Sequence, residues 1–154
     1  MKSTVAEALL NKIDLSIQDI RSFQGMTPLQ ESYFARFLVV FTCGIYEEAI
    51  ETIVNEWVLR LGSPEISRYI SKSLYYGFQN PKVKKLSGLL KDFNPAWKTS
   101  INSLPQVSRD ALDSIVDDKN ALAHGNTCNI TLNDAIKYYT DSRIIVETID
   151  NVVL

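Results

Sequence analysis

Apolar residues recur along this chain at three- and four-residue spacing, with no sustained alternation and no Asn-Gly or Asp-Gly pair between apolar runs. That is the period of helix surfaces rather than of strands, so the chain reads as all-α. Helix starts punctuate it. Thr4-x-x-Glu7 and Thr27-Pro28-Leu29-Gln30 read as capping boxes, the second with proline at the first helical position, where its missing N–H costs nothing. Ser63-Pro64, Asn80-Pro81 and Asn94-Pro95 repeat the cap-then-proline signal. Ser103-x-x-Gln106 is another box, and Thr131-x-x-Asp134 resembles one with a shorter acid. The pattern predicts helices over 4–22, 28–61, 64–77, 81–93, 95–103, 106–124 and 132–153.

Four of these are long. The second would run roughly 50 Å at about 1.5 Å per residue. Its first half (Phe34, Phe37, Leu38, Val39, Val40, Phe41, Ile45) is apolar nearly all round, as a central buried helix requires. Long helices joined by short connections make a bundle, with the short helices between 64 and 103 inserted across one end. A length of 154 residues, 45% of them hydrophobic, and the absence of repeats or linkers give one domain over 1–154 as the expectation. The longest apolar run, FLVVFTCGIY, is far below the roughly 20 residues a bilayer crossing needs, and Glu7 and Asp14 interrupt any signal-type core. Two cysteines, Cys43 and Cys128, make no disulfide framework. A cytoplasmic protein without membrane attachment is the expectation.

Charge changes the picture locally. The net charge of −2 and a pI near 5.4 argue against a protein coated in basic residues. Yet between Arg68 and Lys98 seven basic residues face one acid, Asp92, and Tyr75, Tyr76, Phe78, Phe93 and Trp97 are interleaved among them. Single-stranded RNA offers backbone charge and stackable bases, so Lys82, Lys84, Lys85 and Trp97 are candidate RNA-binding residues. The alternative is a solvated charged face.

The stretch DDKNALAHGNT holds the only histidine, His124. On a helical wheel from Leu112, Ile115, Val116, Leu122 and Ala123 lie within about 80° of it, and Lys119 falls about 20° from the stripe's centre. Polar breaks in an apolar stripe concentrate at functional sites. Asn120 and His124, four apart, share the stripe's edge. An imidazole with a reference pKa of about 6.5 can move a proton at neutral pH, a cation can stabilise charge on a phosphate, and an amide can orient either. That set suits RNA cleavage through the 2′-hydroxyl without metal or cofactor. One positioned histidine contributes on the order of 10² to 10⁴ in rate, so one per chain suits a slow nuclease, and a symmetric dimer would bring two to one cleft. The structural alternatives are a helix C-terminal imidazole for His124, a snorkelling stem for Lys119 and a surface amide for Asn120. No Cys–His spacing suits zinc, and no third group orients Cys128 and His124 as a nucleophilic pair.

These residues carry a resemblance. A helical bundle whose penultimate long helix ends in Lys119-Asn120-Ala121-Leu122-Ala123-His124-Gly125 resembles a HEPN domain, most nearly the RiboL-PSP-type branch. Within CGIYEEAIETIV, Glu47 matches a family glutamate; Glu48 is an alternative for that part. The resemblance implies a homodimer with the signature residues at the cleft. It also implies a metal-independent endoribonuclease of toxin–antitoxin or phage-defence systems, with an antitoxin or defence complex as partner. His124, Lys119, Asn120 and Glu47 would be its catalytic residues. The family's signature begins with Arg where this chain has Lys119, which loses the planar fork that grips phosphate. The alternatives are a catalytically inactive HEPN module that binds RNA or a partner protein, and a helical interaction protein.

Overall fold

A computed structural model describes residues 1–154 and contains seven helices and no strand: α1 (Thr4–Ser22), α2 (Pro28–Leu59), α3 (Pro64–Gly77), α4 (Val83–Phe93), α5 (Pro95–Asn102), α6 (Gln106–Ala123) and α7 (Leu132–Val153). The all-α bundle with short inserted helices is therefore the observed architecture. α2 is its spine, packed against α1, α3, α6 and α7, while α4 and α5 pair with each other and lean on α6 and α7 respectively. One contiguous core of 32 residues draws on every helix. No helix is long and apolar enough to cross a membrane.

The caps explain where the expected boundaries hold. Thr27 with Gln30 and Thr131 with Asp134 form complete capping boxes, and Ser63 and Asn94 accept hydrogen bonds from Ile66 N–H and Ala96 N–H. Three expectations need correction. α1 is capped by Ser3, not Thr4: Ser3 Oγ accepts from Ala6 N–H at 3.1 Å, and its own backbone N–H is held at 2.8 Å by the Asp150 carboxylate. α6 begins after Pro105 with no side-chain cap, because Ser103 closes α5 instead, its Oγ donating to Ser100 O at 2.9 Å. α4 begins at Val83, not at 81, and Val83 N–H is satisfied at 2.8 Å by Asp113 of α6. Asn80 is thereby free for another task.

Buried polar groups tie the bundle's ends and middle. Asp150, fully buried on α7, accepts from Lys2 N–H and Ser3 N–H, placing a carboxylate at the positive end of α1. Tyr46 of α2 is fully buried; its hydroxyl meets Ser142 Oγ at 2.9 Å, and burial holds its pKa above the usual tyrosine value.

α2 departs from the expectation of a helix covered all round. Leu38, Val39 and Ile45 are core, but Phe37 is 48% and Val40 47% exposed, and with Tyr33 and Gly44 they form an uncovered stripe along its outer face. The apolar stripe of α6 likewise surfaces at its end: Leu112, Ile115 and Val116 are buried, Leu122 half-buried and Ala123 exposed.

Asp150→Ala is expected to lower the free energy of urea unfolding by about 1–3 kcal/mol, because it leaves the N–H of the α1 cap residue, Ser3, buried without an acceptor. A stability equal to that of the unsubstituted protein would mean that water replaces the carboxylate.

Candidate functional site at the end of the sixth helix

The last turn of α6 is built to stop sharply. Gly125 adopts φ +71°, its N–H bonds Leu122 O at 3.1 Å, and Asn126 N–H reaches Ala121 O at 2.9 Å, the pair of bonds that defines a Schellman closure. Glycine supplies the left-handed conformation there. His124 is the C-cap, its N–H bonded to Asn120 O at 3.1 Å. The cap bonds are all main-chain, so the imidazole is not enlisted in them and stands exposed.

One turn earlier, Lys119 is half-buried and aimed at the connection between α3 and α4. Its Nζ donates to Asn80 Oδ1 at 2.8 Å. Asn80 N–H in turn donates to Glu47 Oε1 at 2.5 Å, so the lysine of α6 and the glutamate of α2 are joined through one residue of the insertion. Asn80 is the only non-glycine residue with positive φ, +55°, a conformation asparagine tolerates better than most residues. Cys43, one turn before Glu47, lies beside the same cluster, its Sγ 3.8 Å from Glu47 Oε1. Burial, reinforced by the Glu47 charge and partly offset by Lys119, pushes the Cys43 thiol up to about 12. Cys43 and Cys128 are both free and buried. No group of three or more His, Cys, Asp or Glu is arranged to hold a metal ion.

Asn120 lines an open groove with Asn80, Lys82, Lys84, Lys85 and Val116. Lys82 Nζ pairs with Asp117 at 2.5 Å, and Lys85 Nζ donates to Gln79 O at 2.5 Å; Lys84 has neither kind of partner. Trp97 is the exception among the candidate RNA-binding residues. It is only 9% exposed, edge-on to Trp57 with ring centroids 5.0 Å apart and tilted against Phe93 at 6.3 Å, so it serves the core and offers no face to a base. Glu48 is exposed on α2 and takes no part in the Asn80 bridge.

Within one chain the structure thus brings Glu47, Lys119 and Asn120 around Asn80. His124 lies four residues beyond Asn120, on the same side of the helix end but outside that network. Sequence reasoning does not single out Asn80 as a site residue, because Asn before Pro reads first as a helix cap.

Asn80→Ala is expected to be less stable than Asn80→Gly by about 1 kcal/mol in denaturant unfolding, since both give up the Lys119 hydrogen bond but only alanine is strained at positive φ. Equal stabilities would show that the connection relaxes. In the folded protein at pH 8, a thiol-specific aromatic disulfide should leave Cys43 unmodified until denaturant is added; prompt labelling would contradict its burial.

Neither a curated protein nor a solved structure matches the chain. A family model does, over nearly its whole length: RiboL-PSP-HEPN, matched by residues 4–154, with the bridge of Glu47, Asn80 and Lys119 inside that span. The chain belongs to the RiboL-PSP-HEPN family of HEPN domains.

Proposed function

We propose that this single HEPN domain is a metal-independent endoribonuclease that cleaves RNA through the 2′-hydroxyl. It acts as a homodimer in the cytoplasm as a toxin or phage-defence effector restrained by an antitoxin or defence-complex partner. The observation that carries the reading is the Lys119–Asn80–Glu47 bridge beside the lysine-lined groove of Asn120, in a chain of HEPN membership. His124 takes the proton from the 2′-hydroxyl or gives one to the leaving oxygen, and its exposed ring suits either role. Lys119 stabilises the charge developing on the phosphorane. Asn120 positions the scissile phosphate, with Lys82, Lys84 and Lys85 drawing the backbone into the groove. Glu47 supports these groups by fixing Asn80, which aims the lysine.

The dimer is favoured by the uncovered stripe of α2. Tyr33, Phe37, Val40 and Gly44 repeat at helical spacing beside the edge that carries Glu47, and a second copy laid there would cover apolar surface and set two His124 rings near one cleft. One observation favours a second reading, a catalytically inactive module that binds RNA or protein. Lys119 replaces the arginine of the signature and gives one of its three donors to Asn80, so it grips phosphate as a point charge and not as a fork.

Incubation of RNA with the protein in EDTA tests the first reading. Cleavage leaving 2′,3′-cyclic phosphate ends, reduced by at least about 10²-fold in His124→Ala, is expected. A folded dimer that never cuts, even as Lys119→Arg, would establish the second reading. Val40→Glu is expected to convert the dimer to monomer in sedimentation at micromolar concentration and to abolish cleavage with it; a dimer unaffected by the change would place the interface elsewhere.

A further inference from the structure

On the far side of Lys84 from the Asn120 groove, a second cleft opens between α4, α5 and α6. Its walls include Lys84, Gly88, Lys91, Lys98, Asn102 and Asp113. Lys84, Gly88 and Lys91 are at i, i+4 and i+7 of α4 and therefore share one face, and Lys98 reaches the cleft from α5. The three ammonium groups have no ion-pair partner: the chain's lysine pairs are Lys82–Asp117 and Lys137–Asp141. Asp113, the only acid in the wall, already accepts Val83 N–H at 2.8 Å through Oδ1. Asn102 Oδ1 accepts from Ser87 Oγ at 3.0 Å, which orients its amide and leaves the NH₂ donors unspent. Three ammonium groups against the single carboxylate of Asp113 leave the cleft with an excess of positive charge, and an anion between them offsets their repulsion.

Gly88 points the same way by a separate argument. A glycine inside a helix disfavours it relative to alanine, and it is retained where packing or backbone shape demands it. Neither demand exists here: a Cβ on Gly88 would meet nothing within 4 Å, and its φ is not positive. What the missing side chain does provide is bare, exposed helix backbone on the floor of the cleft, midway between Lys84 and Lys91. Such a floor admits a ribose–phosphate unit that a methyl group would hold off.

We infer that this cleft is a second phosphate subsite for single-stranded RNA, holding the backbone away from the bond that is cut. The inference rests on the reading of RNA as the substrate. Lys84 lines both this cleft and the groove of Asn120, so the two are consecutive stations on one path. Lys84 and Lys91 are separated by about 10 Å along the axis of α4, at about 1.5 Å per residue. Arg68 and Lys72 belong to a different surface, with Pro64, Glu65 and Tyr69 of α3, so the basic segment of the sequence is divided and only its α4–α5 part leads to the site. Through this subsite the enzyme favours substrates with enough single strand flanking the cut to span both stations, whatever their bases.

The test is fluorescence anisotropy with 2′-O-methyl single-stranded oligonucleotides, short and long, over a salt series. These cannot be cut through the 2′-hydroxyl, so binding is read separately from the nuclease reaction. The Lys91→Ala/Lys98→Ala double variant is expected to weaken the long oligonucleotide about tenfold, to spare the short one, and to reduce the slope of log K against log salt by about 0.7 for each phosphate that is no longer neutralised. Gly88→Ala is expected to raise Tm while weakening the long oligonucleotide, a combination that a purely structural glycine would not give. Unchanged affinity and salt slope in the double variant would overturn the subsite. So would equal, length-independent weakening of polyglutamate binding, which would mark a docking face for an acidic protein. If His124→Ala leaves RNA cleavage intact while the salt slopes behave as expected, the catalytic assignment fails and the subsite stands.

Discussion

Everything in this fold depends on covering α2. A helix of 32 residues that is apolar on most of its circumference cannot stand in water, and α1, α6, α7 and α3 each remove part of it from solvent. The cover is not complete. The outer face that carries Phe37 and Val40 is left open, and the same helix presents Glu47 at the edge of that opening. Site and uncovered surface are therefore neighbours by construction, which is the reason the proposed dimer is laid on this face.

The insertion of α3, α4 and α5 is joined to the Glu47–Lys119 pair through a single irregular residue. Because Asp113 of α6 supplies the acceptor at the start of α4, Asn80 need not cap that helix and can turn through positive φ. Its backbone then meets Glu47 and its side chain meets Lys119, which joins three separate stretches of sequence by two hydrogen bonds. An ammonium held at one point by a neutral acceptor keeps its charge and its other donors for a phosphate. It gains a fixed position at the cost of one donor, whereas the family's arginine would bring the geometry within its own fork. Cys43, beside this cluster, is held as a neutral thiol by burial and by the Glu47 charge, and so does not compete as a nucleophile.

Charge follows the same division of labour. The acidic chain gathers Lys82, Lys84, Lys85, Lys91 and Lys98 around α4 and α5, and the neighbouring face of α6 sets against them the amide of Asn120 and two carboxylates, Asp117 paired with Lys82 and Asp113 holding Val83 N–H. The aromatic residues interleaved with those lysines divide by depth. Trp97 and Phe93 pack with Trp57 beneath the insertion, while Tyr75 and Tyr76 remain exposed on α3.

The sequence by itself determined the seven helices, most of their caps, the buried Leu112, Ile115 and Val116 and the oddness of Lys119, because helical period and capping are local rules that act within one or two turns. It also carried the HEPN signature, since its letters are contiguous on α6. Only the tertiary structure decided that Ser3 and not Thr4 caps α1, that Trp97 is core, that Asn80 joins Glu47 to Lys119, and that the lysines of the insertion part into separate surfaces. Each of these turns on a partner far away in the chain: Asp150 for Ser3, Trp57 for Trp97, Glu47 and Lys119 for Asn80, and the packing of α4 on α6 for the lysines. Periodicity places a residue on a face of its helix; what that face meets is settled by how the helices pack.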